Sequence, residues 1–505
     1  MLSTDELTPP ERQLWDAFPE GRTVDLTVRE PLWRPDPYEE EDEPEPWTPE
    51  GRWEARHTVR ARVIAALLLG ANPAAAGAVA ALRLHGARIV GELDLSGAET
   101  PHLISFSRCS FAAPVTLHGA GTSSIRLLRC EVPGIEAHLL RIEGTLNLTG
   151  SVIDGRVGLN NARISGQLHL SEARIGGDGT WALTGGGLEM GGGVFGRRGF
   201  VADAGVRLAG ARLAGGVFLE GARLAAASGE RLALSADNAS VTVMLLSDGF
   251  AAAGFMDLAG MQVSDRLSFA GADLAEVDEV RCRRLQGGDL DFTPAVAPAK
   301  SVDLRGAKVA TLHHGPHTWP DEVRLGDLQY EGLHYTDPEG VGMPERIAWL
   351  RRSRGYSPQP YEQLAAWYRR IGHDHNARGV LLAKQRDRRR TLRPLARLWG
   401  YLLDGTVGYG YRPWLAGLWL AVVAALGTAV FAQADRIPIK PDDNPGFHPL
   451  VYTLDLLVPI GGFGMRDEWR WVNGGAQGLA YALVAIGWIL TTAVVAGVSR
   501  TLNRT

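Results

Sequence analysis

Apolar residues in the middle of the chain recur in a pattern that predicts short β-strands. Segments such as TLNLTGSVI (145–153), QLHLSEARI (167–175) and GVFLEGARL (216–224) share an alternation of apolar and polar positions that ends at a corner. The alternation places one face of each strand inward. Gly-Ala or Asn-Ala at the corner leaves room for a tight bend, so successive segments can stack into a solenoid.

The spacing of these copies predicts a parallel β-helix. Neighbouring copies commonly lie eleven residues apart, as from Leu159 to Leu170 or from Leu208 to Leu219. One position followed along the chain recurs in steps of 22, 21, 21 and 22 residues, at Leu82, Ile104, Ile125, Leu146 and Leu168. We therefore expect a coil of 21 or 22 residues, made of two half-coils, whose stacking buries one continuous core.

Helical spacing replaces the repeat on both sides of the solenoid. Segment 57–70, HTVRARVIAALLLG, is expected to form a helix that caps the first coil. Segment 360–390 carries two apolar stripes separated by Gly372, which predict a helical hairpin. The stripes are Leu364, Ala365 and Tyr368, and then Ala377, Val380 and Leu381.

Two uncharged runs near the end of the chain predict membrane-spanning helices. Residues 414–434 form a run of 21 residues, and residues 474–499 form a run of 26. A helix rising 1.5 Å per residue needs about 20 residues to cross a hydrocarbon layer of about 30 Å. A pair of buried helices in a soluble domain is the alternative interpretation.

The charges around these runs predict their orientation. Residues 384–412 contain eight Lys or Arg, whereas the connection 435–473 contains four. Basic residues favour the cytoplasmic side, so we expect a multi-pass protein of the cell membrane with both termini in the cytoplasm. An anionic cytoplasmic leaflet is the expected partner of the basic run. Its residues are Arg388, Arg389, Arg390, Arg393 and Arg397.

The connection VYTLDLLVPIGGFGMRDEW (451–469) is the candidate functional segment. Residues 448–459 are apolar enough for a short helix that dips into the membrane interface, and GGFG (461–464) supplies backbone freedom at its end. The candidate residues are Asp455, Pro459, Gly461, Gly462, Phe463 and Gly464. The segment is either a pore loop or a re-entrant structural loop without conduction. A pore would require a ring of several chains, and the missing TVGYG-type run argues against potassium selectivity.

Composition narrows the remaining function classes. The net charge of −5 argues against a nucleic-acid partner. The three cysteines indicate no disulfide framework, and Cys109 and Cys130 should form a buried thiol pair on adjacent coils. Two histidine clusters, HHGPH (313–317) and HDH (373–375), lack the spacing of a zinc site, so no metal ligand is expected.

Four segments are predicted on these grounds. Residues 1–78 form an acidic N-terminal segment and capping helix, in which 35–50 is a solvated linker. Residues 79–340 form the β-helix, 341–400 a helical adaptor with the basic run, and 401–505 a two-span membrane domain. The fold class is therefore mainly β, with an α-helical hairpin and a two-helix transmembrane domain behind the solenoid.

Part of the sequence resembles known membrane proteins. GYGYRPWLAGLWL (408–420) is similar to the start of the first membrane helix in actinobacterial pentapeptide-repeat proteins with an ion-channel-type helix pair. Over its whole length the chain resembles actinobacterial proteins usually catalogued as membrane-associated oxidoreductases. That resemblance implies a β-helical front, a two-helix tail and redox activity.

The residues themselves favour a non-enzymatic role. No GxGxxG motif follows a strand and opens a helix, no CxxC occurs, and no haem or iron–sulfur spacing exists. We therefore assign no catalytic, cofactor-binding or metal residue and expect no cofactor. The predicted function is a membrane-anchored β-helical sensor or scaffold with a channel-like domain and a protein partner on the β-helix. A membrane-associated oxidoreductase and a purely structural anchored scaffold are the alternatives.

Overall fold

The chain forms two compact units, which divide after Arg354. The computed structural model describes residues 6–27, 55–226, 231–315, 317–335, 342–411, 414–439, 446–458, 464–472 and 474–502. The first unit is Met1–Arg354 and the second is Gly355–Thr505. The acidic segment 35–50 lies outside the described residues, and so does the loop 459–463.

The first unit is a parallel β-solenoid of about eleven coils in its described part, which confirms the predicted fold. In the middle coils each half-coil holds two short strands, whereas one longer strand, such as Glu99–Ser107 or Gln262–Ser268, covers a half-coil nearer the ends. In one coil the strands begin at Arg141, Leu146, Val152 and Val157, in steps of five, six and five residues. The next coil begins at Arg163, directly beside Arg141 in the sheet. The coil of 22 residues is therefore four-sided.

The strands form three parallel sheets within the described part of the unit. The seventeen-stranded sheet contains Val24–Asp25, Ala81–His85, Glu99–Ser107, Gly121–Leu128, Arg141–Ile142, Leu146–Asn147, Arg163–Ile164, Leu168–His169, Glu189–Met190, Val194–Phe195, Arg212–Leu213, Val217–Phe218, Ser240–Leu245, Gln262–Ser268, Gln286–Phe292, Lys308–His314 and Gln329–Tyr335. The nine-stranded sheet contains Thr58–Arg60, Arg88–Val90, Ser110–Phe111, Glu131–Val132, Val152–Ile153, Arg174–Ile175, Val201–Ala202, Arg223–Leu224 and Ala251–Ala252. The eleven-stranded sheet contains Leu93–Asp94, Val115–Thr116, Ile135–Glu136, Val157–Gly158, Trp181–Thr184, Gly205–Arg207, Leu232–Ser235, Gly254–Asp257, Val277–Arg281, Ser301–Asp303 and Glu322–Arg324.

The predicted register is confirmed by the pairing of successive coils. Leu82 pairs with Ile104, Ile104 with Ile125, and Ile125 with Leu146, which in turn pairs with Leu168. All five side chains are buried in the core. One apolar column therefore runs through neighbouring coils, as the spacing in the sequence indicated.

The corners of the coils depend on residues that accept a left-handed backbone. Asn161 has φ 55° and Gly210 has φ 65°, and an alanine follows each of them. The N–H of Ala162 donates to the carbonyl of Leu159 at 3.1 Å, which closes the turn. Ala162 is buried because only a small side chain fits inside the corner. Asparagine and glycine adopt this conformation at low cost, which explains the Gly-Ala and Asn-Ala pairs.

Two helices and two strands cover the first coil. Helix α1 spans Pro9–Ala17, a 3₁₀ turn spans Phe18–Glu20, and helix α2 spans Ala61–Leu68. Thr58–Arg60 pairs with Arg88–Val90, so the helix expected from residue 57 begins only at Ala61. The reason is tertiary: Val59 is buried as part of a sheet, although its spacing also fits a helix.

An aromatic cluster closes the other end of the solenoid. Helix α3 spans Met343–Leu350, and its Trp349 stacks on His314 with ring centroids 5.1 Å apart. The indole of Trp319 donates to His314 Nδ1 at 3.2 Å. Burial lowers the pKa of His314 to about 3, so this imidazole is neutral at physiological pH. His314 therefore belongs to the core of the last coil.

The second unit begins with the predicted hairpin and ends with the long apolar helices. Its helices are α4 (Gln359–Arg370), α5 (Asp374–Arg390), α6 (Pro394–Val407), α7 (Trp414–Gln433), α8 (Pro449–Leu457) and α9 (Gly474–Leu502). Both predicted apolar stripes of the hairpin are buried between α4 and α5. Strands Arg436–Pro438 and Trp469–Trp471 form an antiparallel pair, and 3₁₀ turns span Gly408–Gly410 and Met465–Asp467.

Candidate functional site

Helices α7 and α9 are long and apolar enough to cross a membrane. In the described part of the chain the two candidate spans are Trp414–Gln433 and Gly474–Thr492. Only 22 % and 28 % of the residues in their apolar windows are buried by protein. Large apolar side chains such as Leu426 and Ile489 are exposed instead. Helices of a soluble core would be covered, so this exposure favours a lipid environment.

Helix α8 packs between these two helices at glycine residues. A Cβ on Gly427 of α7 would lie 2.6 Å from Cγ2 of Thr453. A Cβ on Gly487 of α9 would lie 2.8 Å from the carbonyl carbon of Leu457, the last residue of α8. Glycine at both positions lets the helix backbones approach closely, as small residues do in membrane helices.

These contacts place the end of α8 beside the middle of α9. The paired strands Arg436–Pro438 and Trp469–Trp471 join the end of α7 to the start of α9 and mark one end of the helix pair. Gly487 is thirteen residues beyond Gly474, which is about 20 Å along the axis of α9. Helix α8 therefore descends from the paired strands towards the middle of the apolar helices, and the chain returns by Gly464.

An aromatic core holds α8 and the paired strands together. The ring of Phe431 stacks on that of Trp471 with centroids 4.7 Å apart. Trp471 Nε1 donates to the hydroxyl of Tyr452 at 2.8 Å. Arg436 lies over the ring of Phe447 at 4.2 Å. These rings therefore belong to the apolar core of the second unit.

Asp455 ties the returning segment to α8. Its side chain is 1 % exposed, and Oδ2 accepts the backbone N–H of Arg466 at 2.9 Å. Gly464 has φ 81°, a backbone conformation that favours glycine. Among the predicted loop residues, these two are described. Pro459, Gly461, Gly462 and Phe463 lie outside the described residues.

The predicted basic group separates into two kinds of residue. Arg389 Nη1 lies 3.0 Å from Asp404 Oδ2, and Arg386 Nε lies 3.0 Å from the same oxygen. Burial alone would raise the pKa of Asp404, but Arg386 and Arg389 outweigh it and hold that pKa below its usual range. Arg389 is thus an internal contact. The exposed members are Arg388, Arg390, Arg393 and Arg397.

The outer faces of the solenoid carry paired charges. Asp303 is fully buried, and its Oδ2 lies 2.7 Å from both Arg283 and Arg305. Burial would raise the pKa of Asp303, but the hydrogen bonds from these arginines lower it overall. No group of three or more His, Cys, Asp or Glu in the described part of the chain is arranged to hold a metal ion.

The cysteines lie inside the solenoid. Cys109 and Cys130 are both buried, and neither forms a disulfide. Burial raises the pKa of the Cys130 thiol, with a further contribution from its neighbour Cys109. A thiol with a raised pKa, such as that of Cys130, is a poor nucleophile. The predicted buried thiol pair on adjacent coils is therefore confirmed.

Three residues that matter here were missed in the sequence. Gly427 and Gly487 stand inside apolar runs, where small residues often mark close helix packing. Asp404 is the one acidic residue between Thr391 and Trp414. A lone acid close behind a basic run is a signal for an internal ion pair, and it could have identified the partner of Arg389.

Comparison with known proteins identifies no relative of this chain. No family model matches the sequence, and neither a curated protein nor a solved structure matches it. The resemblance to membrane-associated oxidoreductases and to pentapeptide-repeat proteins therefore stays a prediction.

Proposed function

We propose that this chain is a multi-pass protein of the cell membrane, in which α7 and α9 cross the bilayer and α8 re-enters it. Several copies assemble around an axis, where α8 and the turn at Gly464 of each chain border an ion path. The solenoid acts as a sensor or scaffold in the cytoplasm and binds a protein partner there. The contact of Leu457 with Gly487, about 20 Å along α9, is the observation that carries this proposal.

The order of elements supports a pore loop. A spanning helix, a short descending helix, a glycine-containing return and a second spanning helix follow one another. In pore loops of this plan, backbone at membrane depth is tolerated because it lines a water-filled cavity. Asp455 fixes the return segment at Arg466, so the loop has a defined anchor. Without the potassium signature we expect weak cation preference.

The charge distribution supports the orientation. Eight basic residues between 384 and 412 precede α7, and four lie between the two apolar helices. Basic residues close to a span are retained in the cytoplasm, so the solenoid and the C-terminus should share that side. The paired strands Arg436–Pro438 and Trp469–Trp471 then face outward.

Conductance of the full-length protein in planar bilayers tests the pore. Wild-type protein should pass current, and Gly487→Ala should abolish it because the added methyl group displaces the end of α8. Gly478→Ala is the matched control, since Gly478 lies on the same helix and a Cβ there meets no atom within 4 Å. The pore proposal would be wrong if wild-type protein passed no current, or if Gly487→Ala and Gly478→Ala passed equal currents.

A membrane-anchored scaffold without conduction is the second candidate. The packed rings of Phe431, Tyr452 and Trp471 favour this scaffold, because they fix α8 against α7 and the paired strands. If the protein is a monomer in mild detergent and passes no current in planar bilayers, the scaffold becomes the favoured function. In a scaffold of this kind, the solenoid would bind the protein partner and the apolar helices would anchor it in the membrane.

A further inference from the structure

Helix α6 has two different faces. Asp404 and Gly400 lie on the side that packs against α5, and a Cβ on Gly400 would lie 2.9 Å from Cδ of Arg389. At 100° per residue, the opposite side carries Leu395, Leu398 and Trp399. These three side chains are 85 %, 67 % and 61 % exposed. The ion pairs with α5 thus hold the helix with its apolar side outward.

The position of α6 beside α7 is fixed by a hydrogen bond. Trp419 Nε1 donates to the carbonyl of Gly405 at 2.9 Å. Trp419 is five residues beyond Trp414, which is about 8 Å from the start of the candidate span. The C-terminal part of α6 therefore lies at the level where a spanning α7 would enter the headgroup region.

Positive charge borders the apolar side. Arg393, directly before α6, is exposed, and so are Arg388 and Arg390 at the end of α5. Arg397 lies on the face of α6 opposite Leu398 and donates to the carbonyl of Arg390 at 3.1 Å. The nearby acids are already engaged, because Asp404 pairs with Arg386 and Arg389, and Asp387 lies 3.3 Å from Arg390. Apolar side chains flanked by arginine are typical of helices that lie in the interface of an anionic membrane.

We propose that α6 is an interfacial helix, with Leu395, Leu398 and Trp399 at the acyl-chain boundary and Arg393 at the phosphates of anionic lipids. This inference rests on the proposed membrane function and adds a lipid-binding surface to it. The helix couples the α4–α5 hairpin to the bilayer, because Arg386 and Arg389 join α5 to its other face.

Spin labels on the full-length protein in nanodiscs test this placement. Labels are attached at Leu398→Cys and, on the opposite face, at Arg397→Cys, and Cys109, Cys130 and Cys282 are buried and should stay unlabelled. With phosphatidylglycerol present, the label at 398 should collide at least threefold more with oxygen than with a water-soluble nickel complex. The label at 397 should show the reverse order.

Varying the lipid composition tests whether anionic lipid is needed, and a further label on α7 distinguishes failure of this inference from failure of the proposed function. In pure phosphatidylcholine the label at 398 should move towards water, and Arg393→Gln should reproduce that shift in anionic discs. A label at 398 that contacts water in every lipid, or one shielded by another protein or a second copy, would overturn the inference. A label at Leu426→Cys, exposed on α7, tests the spanning helix itself, so loss of oxygen contact there would instead contradict the proposed function.

Discussion

The carboxylate of Glu11 is completely buried and is bound by Arg60, 49 residues further along the chain. Arg60 donates its backbone N–H to Glu11 Oε1 at 3.0 Å and its Nε to the same oxygen at 2.6 Å. The contact joins α1 to the strand Thr58–Arg60, which begins the solenoid. The N-terminal cap is thus held by one side chain that satisfies several donors.

Glu11→Gln should loosen this cap. Loss of charge-assisted hydrogen bonds costs about 2 kcal/mol, or about a thirtyfold larger open fraction. Hydrogen exchange of residues 9–17 and 58–60 in the full-length protein should accelerate accordingly. Glu20→Gln is the control, because Glu20 forms an exposed pair with Arg22 and should change exchange very little. Equal effects would contradict the role of Glu11.

The same contact predicts a dependence on pH. Burial alone would raise the pKa of Glu11, but the bonds from Arg60 and Thr8 lower it below the usual 4.5. A carboxylate with a lowered pKa stabilises the folded state above its ordinary pKa, and this contribution is lost as the pH falls through the lowered value. Protection of α1 should therefore fall below about pH 4.5, and Glu11→Gln should remove that part of the pH profile.

The core register gives a third prediction. Leu170 is fully buried, so Leu170→Asp places an unpaired charge in the core and should destabilise the solenoid by several kcal/mol. Arg163→Gln alters only an exposed pair with Glu189 and should stay within about 1 kcal/mol. Limited proteolysis of the full-length variants measures the difference. Equal resistance would refute the assigned inward and outward positions.

The packing of α8 against Gly427 and Gly487 can be tested by measuring thermal stability alone. Gly427→Ala and Gly487→Ala should each lower the melting temperature in detergent, because the methyl group meets Thr453 or Leu457. Gly417→Ala and Gly478→Ala have open space around the new methyl group and should be neutral or stabilising, since alanine favours helix by about 1 kcal/mol. The same response from both pairs would mean that α8 does not pack there.

Topology is the fifth testable point. Reporter fusions after residue 445 and after residue 505 should give opposite readouts, because one lies between the two candidate spans and the other follows both. A fusion after residue 354 should agree with the one after 505. Identical readouts at 445 and 505 would remove the two-span arrangement.

The first half of the solenoid could be predicted from the sequence because the periodicity is regular there, whereas later coils contain extra residues, as between Leu168 and Val194. The column from Leu82 to Leu168 carries the coil length in its own spacing, and the pairing matches it. The division of each half-coil into two strands was less visible. Strands of two residues, such as Arg163–Ile164, are too short to show an alternation by themselves.

The candidate site was only partly predictable because its contacts join distant segments. A short apolar helix before Pro459 was expected, and α8 is present. Its packing against Gly427 and Gly487 depends on how α7, α8 and α9 pack together, which the spacing of residues along the chain cannot reveal. Arg389 illustrates the same limit, since its ion pair with Asp404 turns a surface charge into an internal one.

The 22-residue coil also bears on how such a chain can change its length. Arg141 lies beside Arg163, so insertion or deletion of one whole coil would return every later strand to its own sheet. Removal of eleven residues would instead bring strands of different sheets together. Because each coil contacts only its neighbours, duplication of a coil costs little in stability. The solenoid can therefore evolve in whole coils, with its capping helices and its last aromatic coil kept at the ends.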